Sequence, residues 1–191
     1  MSAAKDSPTE PSLPEKVIGI HEALDKANIP HAIGGALALA YYAEPRATID
    51  IDLNVFVPPT RWRDVIDALA PLGVNTESLD GEALERDGQY RLWWGDNPVD
   101  LFFAYDEIHA EMRKEARRVP FASTTLPILS PEHLTVCKAM FDRTKDWLDI
   151  EQILVATDDL DLEAIEGWLQ RMVGNDDPRL QRLTELKAKV L

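Results

Sequence analysis

The 191-residue chain is 45% hydrophobic and 28% charged, which supports a buried core, excludes wholesale disorder, and fits one domain with or without a small helical appendage. Twenty Lys and Arg against 34 Asp and Glu give a net charge of -14, which disfavours non-specific DNA or RNA binding but leaves room for a local basic patch or bound cations. The single cysteine, Cys137, excludes an intramolecular disulfide and a cysteine-rich zinc site, and no apolar run approaches the roughly 20 residues that span a bilayer.

Residues 1–14, MSAAKDSPTEPSLP, are expected to be a mobile tail. They lack the apolar centre of a signal peptide, so a cytoplasmic protein is expected. From Glu15 the apolar positions Val17, Ile18, Leu24 and Ala27, with His21, recur at helical steps until Pro30. His31-Ala32-Ile33 is a short strand running into Gly34-Gly35, and residues 36–43 form a compact Ala/Leu helix broken by Glu44-Pro45.

Residues 48–57, TIDIDLNVFV, alternate strictly. Ile49, Ile51, Leu53, Val55 and Val57 share one face, and Asp50, Asp52, Asn54 and Phe56 share the other, which predicts a strand with one face on a core. Pro58-Pro59-Thr60 opens an amphipathic helix through Trp62, Val65, Ile66 and Leu69 that stops near Gly73, and a polar stretch follows. Residues 89–94 and 98–105 flank Gly95-Asp96-Asn97 and predict an antiparallel hairpin. Residues 107–116 read as a helix and 119–128 as one or two strands. Ser130-Pro131 then caps the first of three or four helices, with breaks near Asp158-Asp159 and at residues 174–178. The fold class is α+β: a tail at 1–14, an α/β core at 15–129 and a helical C-terminal region at 130–191.

Asp50 and Asp52 lie two apart on a strand and so project from one face. Adjacent carboxylates repel, and a divalent cation resolves the conflict; hard oxygen ligands favour magnesium or manganese. On its own, such a pair is better explained by a solvated polar face on an edge strand. Asp100 interrupts the apolar run Val99 to Phe103, and meets Asp50 and Asp52 if the two strands are neighbours. Gly34-Gly35, between strand and helix, allows a ligand to approach the backbone, with helix N–H groups turned to phosphate. Together these are the parts that phosphoryl or nucleotidyl transfer requires.

The string IGGALALAYYAEPRATIDIDLNVF resembles the polymerase-beta-type nucleotidyltransferase signature: a glycine turn, a helix, an acidic-x-acidic strand and a later third acid. The form Arg46-x-Thr48-x-Asp50-x-Asp52 resembles the AbiEii-like abortive-infection group, which includes toxins of toxin–antitoxin systems. Leu134-Thr135-Val136-Cys137-Lys138 and Arg143-Thr144-Lys145-Asp146-Trp147-Leu148-Asp149 look like the same group's helical segments. The likeness runs over residues 33–153.

The resemblance implies a mixed sheet with flanking helices and transfer of an NMP group from an NTP, ATP among the candidates, to an acceptor hydroxyl. Asp50, Asp52 and Asp100 would hold Mg2+ or Mn2+, with Asp100 assisting deprotonation of the acceptor. Gly34, Gly35, Arg46, Lys138 and Lys145 would contact the nucleotide. On their own chemistry, Lys138 is equally a lysine on the wet side of a helix. Lys145, Asp146 and Asp149 read as an ion-pair network docking the helical tail, a role preferred to direct catalysis for Asp149.

The acceptor is left open between a tRNA end, a protein side chain and a small molecule such as an antibiotic. An antitoxin protein is a further implied partner, and a non-catalytic nucleotide- or partner-binding module of the same fold is the rival reading. His21, His31, His109 and His133 share no metal-ligand spacing. In Trp93-Trp94 one ring is expected inward and one outward. The basic residues Arg113, Lys114, Arg117 and Arg118 read as a solvated helix end before a guide for nucleic acid.

Overall fold

The computed structural model describes residues 10–190, so the expected tail lies outside the described residues over 1–9. Within the expected tail, Leu13 and Pro14 already belong to the first helix. Helix α1 spans Leu13–Lys26, with Pro14 in its first turn. Ser12 precedes it, and both its N–H and its hydroxyl donate to the Glu15 carboxylate, at 2.7 and 2.6 Å.

Six strands make one mixed sheet: β1 (His31–Ile33), β2 (Ile51–Val55), β3 (Gln89–Trp94), β4 (Asn97–Phe103), β5 (Arg117–Phe121) and β6 (Thr124–Ile128), in the order β3-β4-β2-β1-β6-β5. β1 runs antiparallel to β2 and parallel to β6, β2 runs parallel to β4, and the outer pairs β3–β4 and β5–β6 are antiparallel hairpins. The β3–β4 hairpin turns on Gly95-Asp96, where Gly95 adopts φ +57°. Lys16 fastens that turn to α1. Its buried ammonium donates to the Trp94 carbonyl and to Asn97 Oδ1, both at 2.7 Å, and pairs with Glu10.

The alternation in residues 48–57 forms a shorter strand than its pattern suggests, and the strand is not one-sided. Ile51, Leu53 and Val55 are fully buried, but Asn54 and Phe56 on the other face are buried too. Helix α2 (Gly35–Leu39) packs on β2, and α6 (Pro131–Phe141) packs on α2, which covers that side. α2 ends earlier than expected because residues 40–42 pass into a turn; Tyr42 anchors the segment by donating its hydroxyl to the Leu129 carbonyl at 2.8 Å.

Helix α3 (Trp62–Leu69) follows Pro59 as expected, and Gly73 closes it at φ +98°. The polar stretch before the hairpin contains an unanticipated helix, α4 (Gly81–Asp87). Asp80 caps it by accepting the Glu82 and Ala83 N–H groups, and left-handed Gly88 ends it. Helix α5 spans Ile108–Glu115. Beyond α6 come α7 (Thr144–Ala156), α8 (Leu162–Val173) and α9 (Pro178–Val190). The α6–α7 break, which the sequence did not announce, falls at left-handed Asp142, φ +54°, whose carboxylate accepts the Trp147 indole N–H at 2.6 Å.

Candidate active site

The parallel β2–β4 register places Asp52 directly opposite Asp100. In aligned strands, opposed residues point to the same sheet face, so Asp100 joins the Asp50–Asp52 face. All three line one cleft of about 350 Å3, whose other wall comes from α5, α6, the start of α7 and Met172 of α8.

All three are half-buried, and Asp52 is the one whose titration is shifted upward. Burial, then the neighbouring Asp100 and Asp50 charges, push its carboxyl up to about 6 from 3.8, against the smaller opposing pull of Lys138 and Arg143. The loop behind it contributes to that burial. Gly34 donates its N–H to the Asp52 carbonyl at 2.8 Å. Gly35 holds φ +55°, and a Cβ there would lie 1.7 Å from Asp52 Oδ2. The glycine pair therefore brings backbone onto Asp52. Gly35 lines the cleft, whereas the Gly34 N–H, expected to be available for phosphate, is already spent on β2.

Arg46, Lys138 and Lys145 all line the cleft, in different states. Lys138 is buried and donates to Asp149 Oδ2 at 2.6 Å, so it is not a lysine on the wet side of its helix. Arg46 grips the same carboxylate through Nε and Nη2 at 3.2 and 3.1 Å. Desolvation raises Asp149, but the hydrogen bonds from Arg46 and Lys138 outweigh it and hold the carboxyl below its usual range. Asp146 is buried against Arg143, which donates to it at 2.6 and 3.1 Å. The expected network of Lys145, Asp146 and Asp149 is thus differently composed: its cations are Arg46, Lys138 and Arg143, and exposed Lys145 has no ion-pair partner among the described residues.

Arg91 on β3 escaped the sequence reading. Its Nε and Nη2 donate to the two Asp100 oxygens at 2.6 and 2.7 Å. Apolar side chains also line the cleft: Met112, Met140 and Met172, with Phe102, Tyr105 and Phe141. Phe102 and Phe141 meet edge to face at 5.7 Å, and Tyr105 and Phe141 are exposed at the mouth. Cys137 borders the cleft with a thiol that burial pushes up to about 12, so it is unreactive at neutral pH.

His21 and His31, given no shared role from spacing, meet with ring nitrogens 2.8 Å apart, and Asp25 lies 3.8 Å from His21. Among the described residues this trio has its ligand atoms within 4.8 Å of one another. His31 also bonds the Ile29 carbonyl at 2.8 Å, so the pair joins α1 to β1 by ordinary hydrogen bonds. Trp94 is inward and Trp93 about half exposed, as expected.

The donor set suits a divalent cation: three hard carboxylates on one face, one of them with a raised pKa, and a backbone cradle that any Cβ at Gly35 would fill. No family model matches the chain, and no curated protein matches its sequence. Among solved structures it is similar to the antibiotic-resistance factor ANT(2'')-Ia in solution, at 20% identity and TM-score 0.58 over 92% of this chain and 95% of that one. The crystal structure of ANT(2'')-Ia in complex with adenylyl-2''-tobramycin aligns at 19% identity and TM-score 0.50, over 91% and 94%. The lincosamide antibiotic adenylyltransferase LnuA, lincomycin-bound, aligns at 11% identity and TM-score 0.51, over 74% of this chain and 96% of that one. The shared feature is the fold, a nucleotidyltransferase-type mixed sheet with flanking helices.

Proposed function

We propose that the chain is a divalent-metal-dependent nucleotidyltransferase that moves an NMP group from an NTP to a hydroxyl of a small molecule. The observation that carries this reading is the pairing of β2 with β4, which sets Asp52 against Asp100 on the cleft face beside Gly35. Asp50, Asp52 and Asp100 would hold Mg2+ or Mn2+, which when bound polarises the phosphate and offsets charge at the transferring phosphorus. Arg46, Lys138, Arg143 and Lys145 supply positive charge to the same cleft, where a triphosphate and the departing pyrophosphate need it.

In the proposed step the acceptor oxygen bonds to the α-phosphorus, the bond from that phosphorus to pyrophosphate breaks, and the hydroxyl proton passes to a carboxylate oxygen of Asp100. The residues divide the work by position. Gly35 gives backbone access beside Asp52, Asp149 fixes Lys138 and Arg46 at the cleft wall, and the apolar lining seats the acceptor's body.

A small acceptor is favoured over RNA by that apolar lining. Met112, Met140 and Met172 are adaptable thioethers suited to an uncharged ring-bearing body, and a net charge of -14 opposes a polyanion. The antibiotic acceptors of the structural neighbours agree with this class. The segments at Arg46–Asp52 and Arg143–Asp149 support placement near the AbiEii-like group, and an antitoxin partner and a tRNA acceptor belong to that version of the proposal.

The test incubates the protein with Mg2+ and each α-labelled NTP, offering in turn total tRNA, cell protein and a panel of hydroxyl-bearing small molecules. Label in a small molecule is expected. Label confined to tRNA would move the acceptor to RNA, and Mg2+-dependent NTP binding with no transfer to any acceptor would favour a binding module.

A further inference from the structure

Asp100 stands opposite Arg91 in the antiparallel β3–β4 pair, and the two side chains close a fork in which each guanidinium N–H takes a separate oxygen, at 2.6 and 2.7 Å. Both oxygens that a cation would use are therefore engaged. In keeping with this, Asp50, Asp52 and Asp100 share the cleft but do not bring their oxygens within 4.8 Å of one another as a trio. The backbone needs no change to bring them together, since Asp100 is already registered beside Asp52. The Arg91 pairing occupies both Asp100 oxygens and so competes with any cation for them.

Resting on the cation-dependent reading of the site, we propose that Arg91 is a positioning residue: an exchangeable counter-ion that holds Asp100 in the cation-free protein and yields it to a divalent cation. Its exposure makes the exchange feasible. The Arg91 side chain is 53% exposed, so the guanidinium can swing into solvent, while Asp100, 16% exposed, is left needing another cation. The Lys138–Asp149 pair, with both side chains about 5% exposed or less, has no such freedom. Arg91 also lines the cleft, so once it releases Asp100 its planar fork stays at the wall, where it suits phosphate oxygens.

The test measures Mn2+ affinity of the full chain without nucleotide, by the electron paramagnetic resonance signal of free Mn2+. Wild type is compared with Arg91→Gln, Arg91→Lys, Asp52→Asn and the Arg91→Gln/Asp52→Asn double variant, with thermal melts confirming folding. Arg91→Gln is expected to bind Mn2+ about tenfold more tightly than wild type. Arg91→Lys, which keeps the charge but loses the fork, is expected to fall between them, and Asp52→Asn to weaken binding in both backgrounds.

Unchanged or weaker binding in Arg91→Gln overturns the exchange, even where Asp52→Asn still shows that the metal reading is right. A gain in Arg91→Gln with none in Arg91→Lys also overturns it, because only net charge would then matter. Mn2+ binding that ignores Asp52→Asn throughout removes the metal reading, and the exchange with it. If Arg91→Gln does not fold, the Arg91→Lys comparison alone decides.

Discussion

Two charged regions face each other across the cleft and solve the same problem in opposite ways. On the α6–α7 side, buried Asp149 and Asp146 are neutralised within the chain, by Lys138 and Arg46 and by Arg143. On the sheet side, Asp52 lies half-buried beside Asp50 and Asp100 with no cation hydrogen-bonded to it among the described residues, and its carboxyl is pushed up to about 6. A pair completed within the chain holds two helices together. An uncompleted set stores repulsion that a ligand can relieve. The contrast separates positioning from binding: one region is finished when the chain folds, and in the proposed function the other is finished when a cation and a nucleotide arrive.

The largest effect expected from breaking this contrast is in activity. Asp52→Asn should lower NMP transfer by about a hundred- to a thousandfold, as loss of a main electrostatic contact in a transfer site does, measured as the initial rate with the identified acceptor. The same variant should be no less stable than wild type. Because the folded Asp52 binds its proton more tightly than the unfolded chain does, its own contribution to stability is fully present below about pH 4 and is lost as pH rises through 4 to 6, by up to about 3 kcal/mol. Denaturant melts across that window should show wild type losing stability relative to Asp52→Asn as pH rises.

The opposite region should respond in stability first. Lys138→Met leaves Asp149 with half-exposed Arg46 alone, at a cost of about 3 kcal/mol or a melting temperature lower by roughly 6–12 °C. Calorimetric melts check this. A variant as stable as wild type would show that Arg46 suffices and that the two regions differ less than their geometry suggests.

Mg2+ with NTP, at about 100 times the dissociation constant, should stabilise wild type by roughly 2.7 kcal/mol through mass action. Mg2+ alone should do much less, since it retains its waters on a bare carboxylate site. The thermal shift should vanish in Asp52→Asn and persist in Asp158→Asn, a change in an exposed acid outside the cleft. A smaller effect, about 1–2 kcal/mol from positive φ, is expected for Gly35→Ala, together with loss of the Mg2+–NTP shift because the added methyl displaces Asp52.

The local pattern of the chain made much of this legible. The period-two alternation around Asp50 and Asp52 and the Gly95-Asp96 turn carried β2 and the β3–β4 hairpin, because short-range periodicity and turn chemistry determine them. Helix α4 was obscured because only Leu84 is buried among its seven residues, although Asp80 and Gly88 mark its ends. That Asp100 meets Asp52 required a parallel pairing across 48 residues, which no local signal encodes. Arg91 was invisible for a related reason. Its partner is set by hairpin register, and an arginine on an edge strand otherwise reads as solvated. Likewise Lys138 and Asp149 meet only because Asp142 turns left-handed between α6 and α7.

The central claim is that the Asp52 carboxylate is held ready for a cation. Carbon-13 NMR titration of the aspartate side chains reads it directly, with and without Mg2+ and a non-transferable NTP analogue. Asp52 is expected to titrate near 6 in the free protein and to fall below the ordinary carboxylate range when both ligands are present, while Asp149 titrates low throughout. An Asp52 that titrates near 3.8 in the free protein, or one that Mg2+ and the analogue leave unmoved at about 6, would contradict it.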